Sequence, residues 1–438
     1  MPEKHQVVIL GGGFGGLYAA QALKKAPAQI TLLDRRNFHL FQPLLYQVAT
    51  GSLSPGEIAS PLRRVLHGHE NTWVLLGEAV DLDTHRRRLI LADGEVAYDT
   101  LIVATGSTDS YFGHDDWQRN APGLKTIEEA TEIRSKLLYA FEAAEREHDP
   151  EKQREWLTFV IVGAGATGVE LAGALGEIAN EILHRDFRSI DSRKAEILLL
   201  EGASRVLPPY PPDLSAKAEA SLIHLGVTPR TNVMVTGIDD AGVTVKTSSG
   251  VERINARTVI WAAGVRASSF GGVLKQRAGA ELDRGGRVLV NPDLSVPGHP
   301  EILVIGDLAH VEQNGKMLPG VAPVAMQQGG YVAKLIRKRL EGHAETVGPF
   351  HYFDKGSLAV IGRASAVADI GGLHISGLLA WLTWLFVHLM YIVEFSNRVL
   401  VFIQWGFLYL TYNQGARLIT GSSAPVCKPT DAEVGSQR

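Results

Sequence analysis

The chain has 438 residues, of which 45% are hydrophobic and 21% charged, and its formal net charge at pH 7 is −4. This length can bury the cores of two or three ordinary domains, and the slightly acidic balance gives no reason to expect nucleic-acid binding. Cys427 is the only cysteine, so the chain can form neither an internal disulfide nor a redox-active cysteine pair.

The chain begins without the basic and apolar regions of a secretory signal, because its first apolar run already belongs to a predicted strand. We therefore expect the protein on the cytoplasmic side of the cell membrane. No metal site is predicted.

Residues 5–106 predict an α/β unit that begins with a strand, a helix and a second strand, and closes on a strand ending at Thr105 and Gly106. The first turn, residues 11–16, fits the pattern G-x-G-x-x-G. Its glycines allow a tight turn, a close approach of pyrophosphate to the backbone, and close packing of the helix on the strand. Phosphate then lies at the positive end of the helix dipole. The second strand ends in Asp34, which is placed to accept hydrogen bonds from a ribose.

A charged helical pattern over residues 127–156 predicts a solvated helical link, and residues 157–264 then repeat the first plan. Residues 163–168 fit G-x-G-x-x-G again, the next strand ends in Glu201, and the last strand runs into a turn at Gly264. Two complete motifs, each with its downstream acid, predict two dinucleotide sites. Two adjacent dinucleotides usually exchange electrons.

The residues around the two glycine-rich turns are the first candidates for holding the dinucleotides. They are Gly11, Gly13, Phe14, Gly15, Gly16 and Asp34 in the first copy, and Gly163, Gly165, Thr167, Gly168 and Glu201 in the second.

Glu201 favours NAD over NADP, because a carboxylate accepts hydrogen bonds from a free 2′-hydroxyl and repels a 2′-phosphate. Arg205 is close by in sequence, and Asp34 is followed by Arg35 and Arg36. A strict choice between NADH and NADPH therefore stays open at this point.

A third strand, residues 302–305, ends in Gly306-Asp307, where the chain returns to the first domain. Strands are also predicted within residues 350–370. The tail after Gly421 is rich in serine, proline and threonine and is predicted to be disordered.

Two uncharged runs, residues 370–393 and 399–414, precede this tail. The first is long enough to be a transmembrane candidate. Polar-tipped aromatic rings are spread through both runs, however, whereas a spanning helix would confine them to its ends. We therefore expect residues 373–412 to form aromatic helices at a lipid bilayer surface. A true span and a role in dimer or core packing are the alternatives, and anchoring is compatible with a homodimer.

The whole chain resembles flavoproteins with two dinucleotide-binding domains, which hold FAD in the first domain and a nicotinamide in the second. The ends of the closing strands match that superfamily's ATG-type turns, and Gly306-Asp307 matches its late G-D motif. The resemblance implies that Asp307 binds the flavin's ribityl chain or phosphate; an ordinary strand-end cap is the alternative. The further cofactor contacts implied by the resemblance are Arg35, Gly51, Val80, Thr105, Gly106, Gly264, Gly306, Asp307 and Ala325.

Within this superfamily, the chain resembles the type II NADH dehydrogenases, which are single-subunit, non-proton-pumping NADH:quinone oxidoreductases. Residues 37–51 are similar to that family's stretch beside the flavin, and residues 163–170 match its NADH motif. Disulfide reductases and sulfide:quinone reductases need catalytic cysteines, so the single cysteine argues against both. The resemblance places Glu170 near the junction of nicotinamide and flavin, where it implies a part in a charge or proton path. A helix first-turn acid that favours the dipole is the alternative.

The family's quinone signature, Ala-Gln-x-Ala-x-Gln, corresponds here to residues 322–329, where Pro323 replaces the first glutamine. Gln327 stays a candidate partner for a quinone carbonyl or the flavin edge, with packing of a small-residue helix against the flavin as the alternative. Asp354-Lys355-Gly356 matches a motif whose lysine lies near the quinone or flavin. An ordinary turn lysine is the commoner case.

The sequence thus predicts an FAD enzyme that oxidises NADH, reduces a membrane quinone and lies peripherally on the cytoplasmic face of the membrane. Candidates for polar or proton-handling roles are Glu170, Gln327 and Lys355. Two alternatives stay open: a soluble NAD(P)H-dependent ferredoxin- or rubredoxin-type reductase, and an NADH- and FAD-binding redox sensor with little turnover.

The predicted fold class is α/β, with two Rossmann-like domains, the second inserted into the first, and a C-terminal membrane-associating helical segment. The predicted boundaries are 1–125 and 271–350 for the FAD domain, 126–156 for the helical link, 157–270 for the NADH domain, 351–421 for the membrane-anchoring and dimerisation region, and 422–438 for the tail.

Overall fold

The fold was analysed in a computed structural model, which describes residues 4–411 and 415–421. Cys427 and the tail predicted to be disordered lie outside these residues. The strands of the first half are β1 (His5–Leu10), β2 (Ala28–Asp34), β3 (Phe38–Leu40), β4 (Ala59–Pro61), β5 (Thr72–Leu76), β6 (Ala79–Asp83), β7 (Arg88–Leu91), β8 (Gly94–Ala97), β9 (Thr100–Val103), β10 (Ser107–Asp109), β11 (Thr158–Val162), β12 (Glu196–Leu200) and β13 (Val227–Arg230).

The later strands are β14 (Met234–Asp239), β15 (Gly242–Thr247), β16 (Gly250–Asn255), β17 (Thr258–Trp261), β18 (Val265–Ala267), β19 (Val288–Leu289), β20 (Ser295–Val296), β21 (His299–Val304), β22 (Ala309–His310), β23 (Glu312–Gln313), β24 (Lys316–Met317), β25 (Ser357–Gly362), β26 (Ser365–Ile370) and β27 (Leu373–Ser376). The α-helices are α1 (Phe14–Ala22), α2 (Leu45–Ala49), α3 (Pro55–Ile58), α4 (Leu62–Val65), α5 (Ile127–Arg146), α6 (Pro150–Trp156), α7 (Ala166–Glu177), α8 (Pro212–His224), α9 (Phe270–Ala278), α10 (Ala322–Leu340), α11 (Leu378–Tyr391) and α12 (Phe395–Thr411).

The first sheet has the strand order β20-β21-β9-β1-β2-β5, and its strands are parallel except for β20. Its central strand β1 reads as an unbroken apolar run because helices and loops cover both faces of a parallel sheet. β21 pairs with β9, with Ile302 opposite Leu101, although the whole second sheet lies between them in the chain. The predicted insertion of one α/β domain into the other is therefore confirmed.

The second sheet is parallel throughout, with the order β13-β12-β11-β17. It repeats the central order of the first sheet, since in both the motif strand lies between the acid-bearing strand and the strand that closes the unit. The three-stranded antiparallel sheet β14-β15-β16 packs on one of its faces through Val243 and Val245. β10 and β18 pair with each other at the crossing between the two domains, with Ser107 opposite Ala267.

The prediction of a solvated link is wrong for α5. Its charged residues occupy one side only, while the other side buries apolar side chains, among them Ile133 and Phe141, in the core shared with α2 and β11. The amphipathic period of the segment explains this, because a helix with an apolar stripe buries that stripe against a neighbour.

The C-terminal part consists of the antiparallel sheet β25-β26-β27 followed by α11 and α12. β25 lies directly on α7, since a Cβ added to Gly173 would be 1.6 Å from the carbonyl oxygen of Ile361. α11 packs on β26 and α12 on α3. In the part of the chain that the structure describes, no helix combines the length and the apolar character needed to cross a membrane.

Candidate active site

The first glycine motif forms a bare backbone turn between β1 and α1. Gly11 has a φ of +107°, and a Cβ on it would be 2.4 Å from the carbonyl oxygen of Ala104. A Cβ on Gly16 would be 1.8 Å from the carbonyl oxygen of Gly11, so only glycine lets the helix lie this close to the strand. Above Gly13, by contrast, nothing lies within 4 Å. The N–H groups at the start of α1 therefore face open space of the kind that a phosphate occupies.

Asp34 and His39 complete this turn. Oδ2 of Asp34 accepts a hydrogen bond from the N–H of Gly12 at 2.6 Å, and Oδ1 accepts one from the N–H of Arg36 at 2.7 Å. Burial nevertheless raises the pKa of Asp34, against the lowering effect of these bonds and of the arginine charges. The buried His39 bonds the Gly12 carbonyl through Nδ1 at 3.0 Å, and burial lowers its pKa to about 4, so the ring is neutral at pH 7.

The residues fit a bound FAD. Among the described residues, Nε2 of His39 is a buried polar atom with no hydrogen-bond partner, as expected where a polar ligand supplies one. Both oxygens of Asp34 keep a lone pair for a ribose diol.

The second motif has the same backbone turn and the same type of carboxylate contacts as the first. Gly163 has a φ of +100°, a Cβ on Gly168 would be 1.8 Å from the Gly163 carbonyl oxygen, and nothing lies within 4 Å above Gly165. Oε2 of Glu201 accepts from the N–H of Ala164 at 2.7 Å, and Oε1 from the N–H of Ala203 at 2.8 Å. Glu201 thus occupies the position that Asp34 has in the first domain, and this copy fits a second dinucleotide. Thr167 is exposed at the start of α7.

Phe112 is a residue that sequence reasoning missed. It has a φ of +52°, is 69% exposed, and lies over Gly264, where a Cβ would be 2.8 Å from its ring. Sequence reasoning could not find Phe112, because its position depends on the left-handed backbone conformation of a single residue. Such a conformation leaves no periodic pattern in the sequence.

The remaining flavin candidates gather where β9 and β21 end. Ser107 donates a hydrogen bond to Oδ2 of Asp307 at 2.7 Å, and Thr105 bonds Ser268 at 2.5 Å. The N–H of Gly306 donates to Gln328 at 2.6 Å. Gln328 is fully buried and was also missed, although it is the immediate neighbour of the predicted Gln327.

The other predicted contacts lie in different environments. Gly106 has a φ of +68°, Ala325 is buried near Gly306, Gly51 meets the backbone of Ala416, Arg35 is exposed, and Val80 is exposed at a bulge in β6. Gly15 lies against Ile305.

A cavity of about 130 Å³ lies between α2, α7, the end of β25 and the C-terminal helices. One wall is α7, which starts in the second motif; another is α2, which follows the loop beside the first motif; α11 and α12 close it. Aromatic and acidic residues are prominent in its lining, among them Tyr46, Glu170, Glu177, Trp381, Trp384 and Trp405.

The residues that line this cavity carry several polar groups. Trp405 donates to Oε1 of Gln47 at 2.8 Å, and Nε2 of Gln47 donates to the hydroxyl of Tyr46, also at 2.8 Å. Burial raises the pKa of Glu170 from 4.5 to about 8, so this carboxyl carries its proton at pH 7. In the described chain, Nε1 of the buried Trp384 has no acceptor.

A row of rings connects the first motif with the cavity. Phe14 follows Gly13 directly and contacts Phe41, with ring centroids 5.8 Å apart. Phe41 lies 6.2 Å from His388, which stacks on Trp384 at 4.2 Å. Trp384 in turn lies 5.4 Å from Trp405. Burial lowers the pKa of His388 to about 4, so this row carries no charge at neutral pH.

Gln327 and Lys355 lie away from the cavity lining. The side-chain amide of Gln327 makes two hydrogen bonds with the backbone of Phe353: it donates to the carbonyl at 2.9 Å and accepts from the N–H at 2.9 Å. Nζ of Lys355 lies 2.8 Å from the hydroxyl of Tyr391 at the end of α11. Both residues therefore tie the segment before β25 to neighbouring helices.

Comparisons with known proteins agree with this arrangement. Residues 5–329 match the family model described as pyridine nucleotide-disulphide oxidoreductase, and residues 354–411 match the NDH2 C-terminal domain. The chain is 47% identical to the type II NADH:quinone oxidoreductase Ndh of Mycobacterium tuberculosis, over 97% of this chain and 92% of that protein. It is 46% identical to NdhA of the same organism, over 95% and 90%.

The fold is similar to that of NDH2 from Plasmodium falciparum, solved in complex with NADH. The TM-score is 0.86 at 20% identity, covering 96% of this chain and all of that one.

Proposed function

This chain belongs to the pyridine nucleotide-disulphide oxidoreductase family and, within it, to the type II NADH:quinone oxidoreductases, and we propose that the aromatic cavity receives the quinone head group. The protein is an FAD-dependent enzyme that oxidises NADH and reduces a quinone. An FAD held by the first motif would supply the redox chemistry that links hydride uptake from NADH to two-electron reduction of a quinone.

We propose the first motif, with Asp34 and Asp307, as the FAD site, and the second motif, with Glu201, as the NADH site. The support is the same in both domains: an open helix N-terminus for the pyrophosphate and a carboxylate held beside it by backbone N–H groups. Gln327 and Lys355 act in this proposal as positioning residues for the segment that leads into β25.

The orphaned N–H of Trp384 is the observation that carries the quinone assignment. A quinone carbonyl is an acceptor only, and two residues of the cavity lining carry donors: Trp384, whose Nε1 has no partner, and Glu170, whose carboxyl is protonated. The indole and phenol rings of the lining, such as Trp381 and Tyr409 with centroids 5.4 Å apart, suit a flat conjugated ring. The row from Phe14 to Trp405 joins this cavity to the first motif.

The test is steady-state NADH oxidation by the FAD-loaded enzyme, with and without a short-chain quinone. Trp384→Phe keeps an aromatic ring and removes the donor. A lost neutral hydrogen bond of about 1 kcal/mol corresponds to about a fivefold rise in the quinone KM, with the NADH KM unchanged. Trp156→Phe, on α6 outside the cavity, is the matched control. An unchanged quinone KM in Trp384→Phe would count against the cavity, and a wild type indifferent to quinone would favour a ferredoxin-type acceptor or a sensor.

We propose further that α11 and α12 lie on a bilayer surface, on the cytoplasmic side where NADH is available. Each helix buries tryptophan against the core and turns large apolar side chains outward. Phe386, Phe402 and Leu410 are 63%, 57% and 79% exposed, and an apolar patch of this kind marks a lipid or protein contact. Such a contact would bring the cavity to the layer in which a lipid-soluble quinone dissolves.

Flotation with phosphatidylcholine–phosphatidylglycerol vesicles tests the lipid contact. Phe386→Glu should leave most of the protein unbound, whereas Val251→Glu, at an equally exposed apolar residue of the β14-β15-β16 sheet, should float like wild type. Equal flotation of both variants would contradict the assignment. The same helices support the proposal of a homodimer, for which light scattering in detergent should give twice the monomer mass.

A further inference from the structure

α7 carries a second carboxyl that faces the cavity. Glu177 is seven residues after Glu170, and both line the cavity together with Ala174 between them. Residues seven apart on an α-helix lie on the same face, separated by about 10 Å along the axis. The helix then changes to a π-helical turn over Ile178–Ile182, where the N–H of Leu183 bonds the carbonyl of Ile178 at 2.9 Å. Such turns occur frequently at functional sites.

The two carboxyls leave the same face of one helix at points about 10 Å apart along its axis. Donors that stand apart in this way match a para-quinone, whose two oxygens lie on opposite sides of one ring, better than an ortho-quinone, whose oxygens are adjacent.

Glu177 also lies at the partition between the cavity and a second opening. A cleft of about 270 Å³ lies on the far side of the β25–β26 turn, and Gly362 and Arg363 line both spaces. A Cβ on Gly362 would be 2.9 Å from Oε1 of Glu177 and 2.7 Å from Cδ1 of Leu225, which lines the cleft. Because Gly362 has no side chain, only its backbone separates the carboxyl of Glu177 from the cleft.

Polar groups line the cleft out to the surface. Ser365 donates to Ser221 at 3.0 Å, and the exposed His224 lies at the end of α8. On the inner side, the backbone N–H of Arg363 donates to Oε1 of Glu177. This contact fixes the carboxyl at the partition.

The reaction needs a proton from outside. The C–H bond of NADH that breaks delivers two electrons and one proton as a hydride, and the quinone gains two O–H bonds when it becomes a quinol. NADH, one proton and a quinone therefore give NAD⁺ and a quinol, and the second proton comes from the medium. We propose that Glu177 donates this proton to the quinone oxygen opposite Glu170 and is reprotonated through the cleft of Ser221, His224 and Ser365. This inference rests on the proposed quinone cavity.

The surroundings of Glu177 shift its titration, on balance, toward the protonated form. Burial raises the pKa of Glu177, the N–H and charge of Arg363 lower it, and Glu181 raises it. Across the cavity, burial holds the pKa of Tyr46 well above 10, to which Glu170 and Glu177 also contribute. Burial and the charge of Glu170 also raise the pKa of Tyr210, which is not part of the lining.

The test compares Glu177→Gln with Glu181→Gln, an exposed acid one helical turn further on. Glutamine keeps the acceptor for the N–H of Arg363 but has no proton to give. In anaerobic stopped flow, reoxidation of the NADH-reduced enzyme by a short-chain para-quinone should slow about 10² fold in Glu177→Gln. Flavin reduction by NADH, and oxidation by ferricyanide, which takes up no proton, should stay within twofold of wild type.

The pH dependence adds a readout that a structural role would not change. In wild type the quinone step should slow as pH rises through the pKa of the donor, because only the protonated carboxyl donates; in Glu177→Gln this slope should flatten. Quinone reoxidation within twofold of wild type, or equal slowing in Glu181→Gln or with ferricyanide, would overturn the proposal. A wild type that reduces no quinone would instead overturn the proposed cavity.

Discussion

Replacing Glu170 by glutamine should stabilise the folded enzyme, and more so as the pH rises. The pKa of this carboxyl rises from 4.5 to about 8 because its surroundings desolvate it. The folded state therefore binds a proton that the unfolded chain has lost between these two pH values, and folding stability falls with rising pH across that window. Below pH 4.5 both the folded and the unfolded state carry the proton, so the carboxyl no longer makes the free energy of unfolding depend on pH.

The magnitude follows from the width of this window. One pH unit corresponds to about 1.4 kcal/mol, so ionisation of Glu170 disfavours the folded state by up to about 5 kcal/mol above pH 8. Between pH 6 and pH 8, wild type should lose about 2 to 3 kcal/mol relative to Glu170→Gln. Asp109, whose pKa burial raises to about 7, titrates in both proteins and cancels in the comparison.

The assay is urea unfolding followed by tryptophan fluorescence, at saturating FAD and at both pH values. Glu181→Gln, which removes an exposed acid, should behave as wild type. If the advantage of Glu170→Gln were the same at pH 6 and pH 8, the carboxyl would be ionised in the folded enzyme and could not serve as a donor in the cavity.

Three further substitutions test the cofactor sites and their support. Asp34→Asn should weaken FAD binding about tenfold or more, because a charge-assisted ribose contact becomes a neutral one; ultrafiltration of the yellow enzyme measures this, and full retention would contradict the site. Glu201→Ala should raise the NADH KM about tenfold while kcat changes little, since the contact is made equally in the ground and transition states; a selective loss of kcat would refute it. Gly329→Val should destabilise the fold by about 3 kcal/mol, because a Cβ there would be 2.4 Å from the Gly15 carbonyl oxygen. Thermal unfolding measures this loss. Gly330→Val is the control, and its melting temperature should not change because nothing lies within 4 Å of a Cβ at that position.

The two dinucleotide motifs could be predicted because their chemistry is local. In each copy, a turn of a few residues and one acid at the end of the next strand determine the geometry, and Asp34 and Glu201 have the same contacts in the structure. Fold class followed from the same repeat, since a strand that returns after a complete second unit implies an insertion.

The cavity proposed for the quinone could not be predicted in this way, because it forms only when α11 and α12 fold back on α2 and α7. Neither Trp384 nor Glu177 has a sequence neighbour that signals the role proposed for it. On α10 the prediction chose Gln327, whereas the neighbouring Gln328 bonds Gly306. Adjacent residues on a helix point in directions about 100° apart, and without the packing partner the sequence does not tell which one faces the flavin domain.

The pairing of β21 with β9 has a consequence for biosynthesis. Strand β21 of the flavin domain is synthesised about two hundred residues after its neighbour β9. By then the nicotinamide domain has already left the ribosome. Domains form largely in the order of synthesis, so the inserted unit can close its own sheet while the first sheet still has an open edge at β9. The proposed FAD site includes Asp307, which follows β21, and the flavin is therefore expected to join a chain whose second domain is already folded.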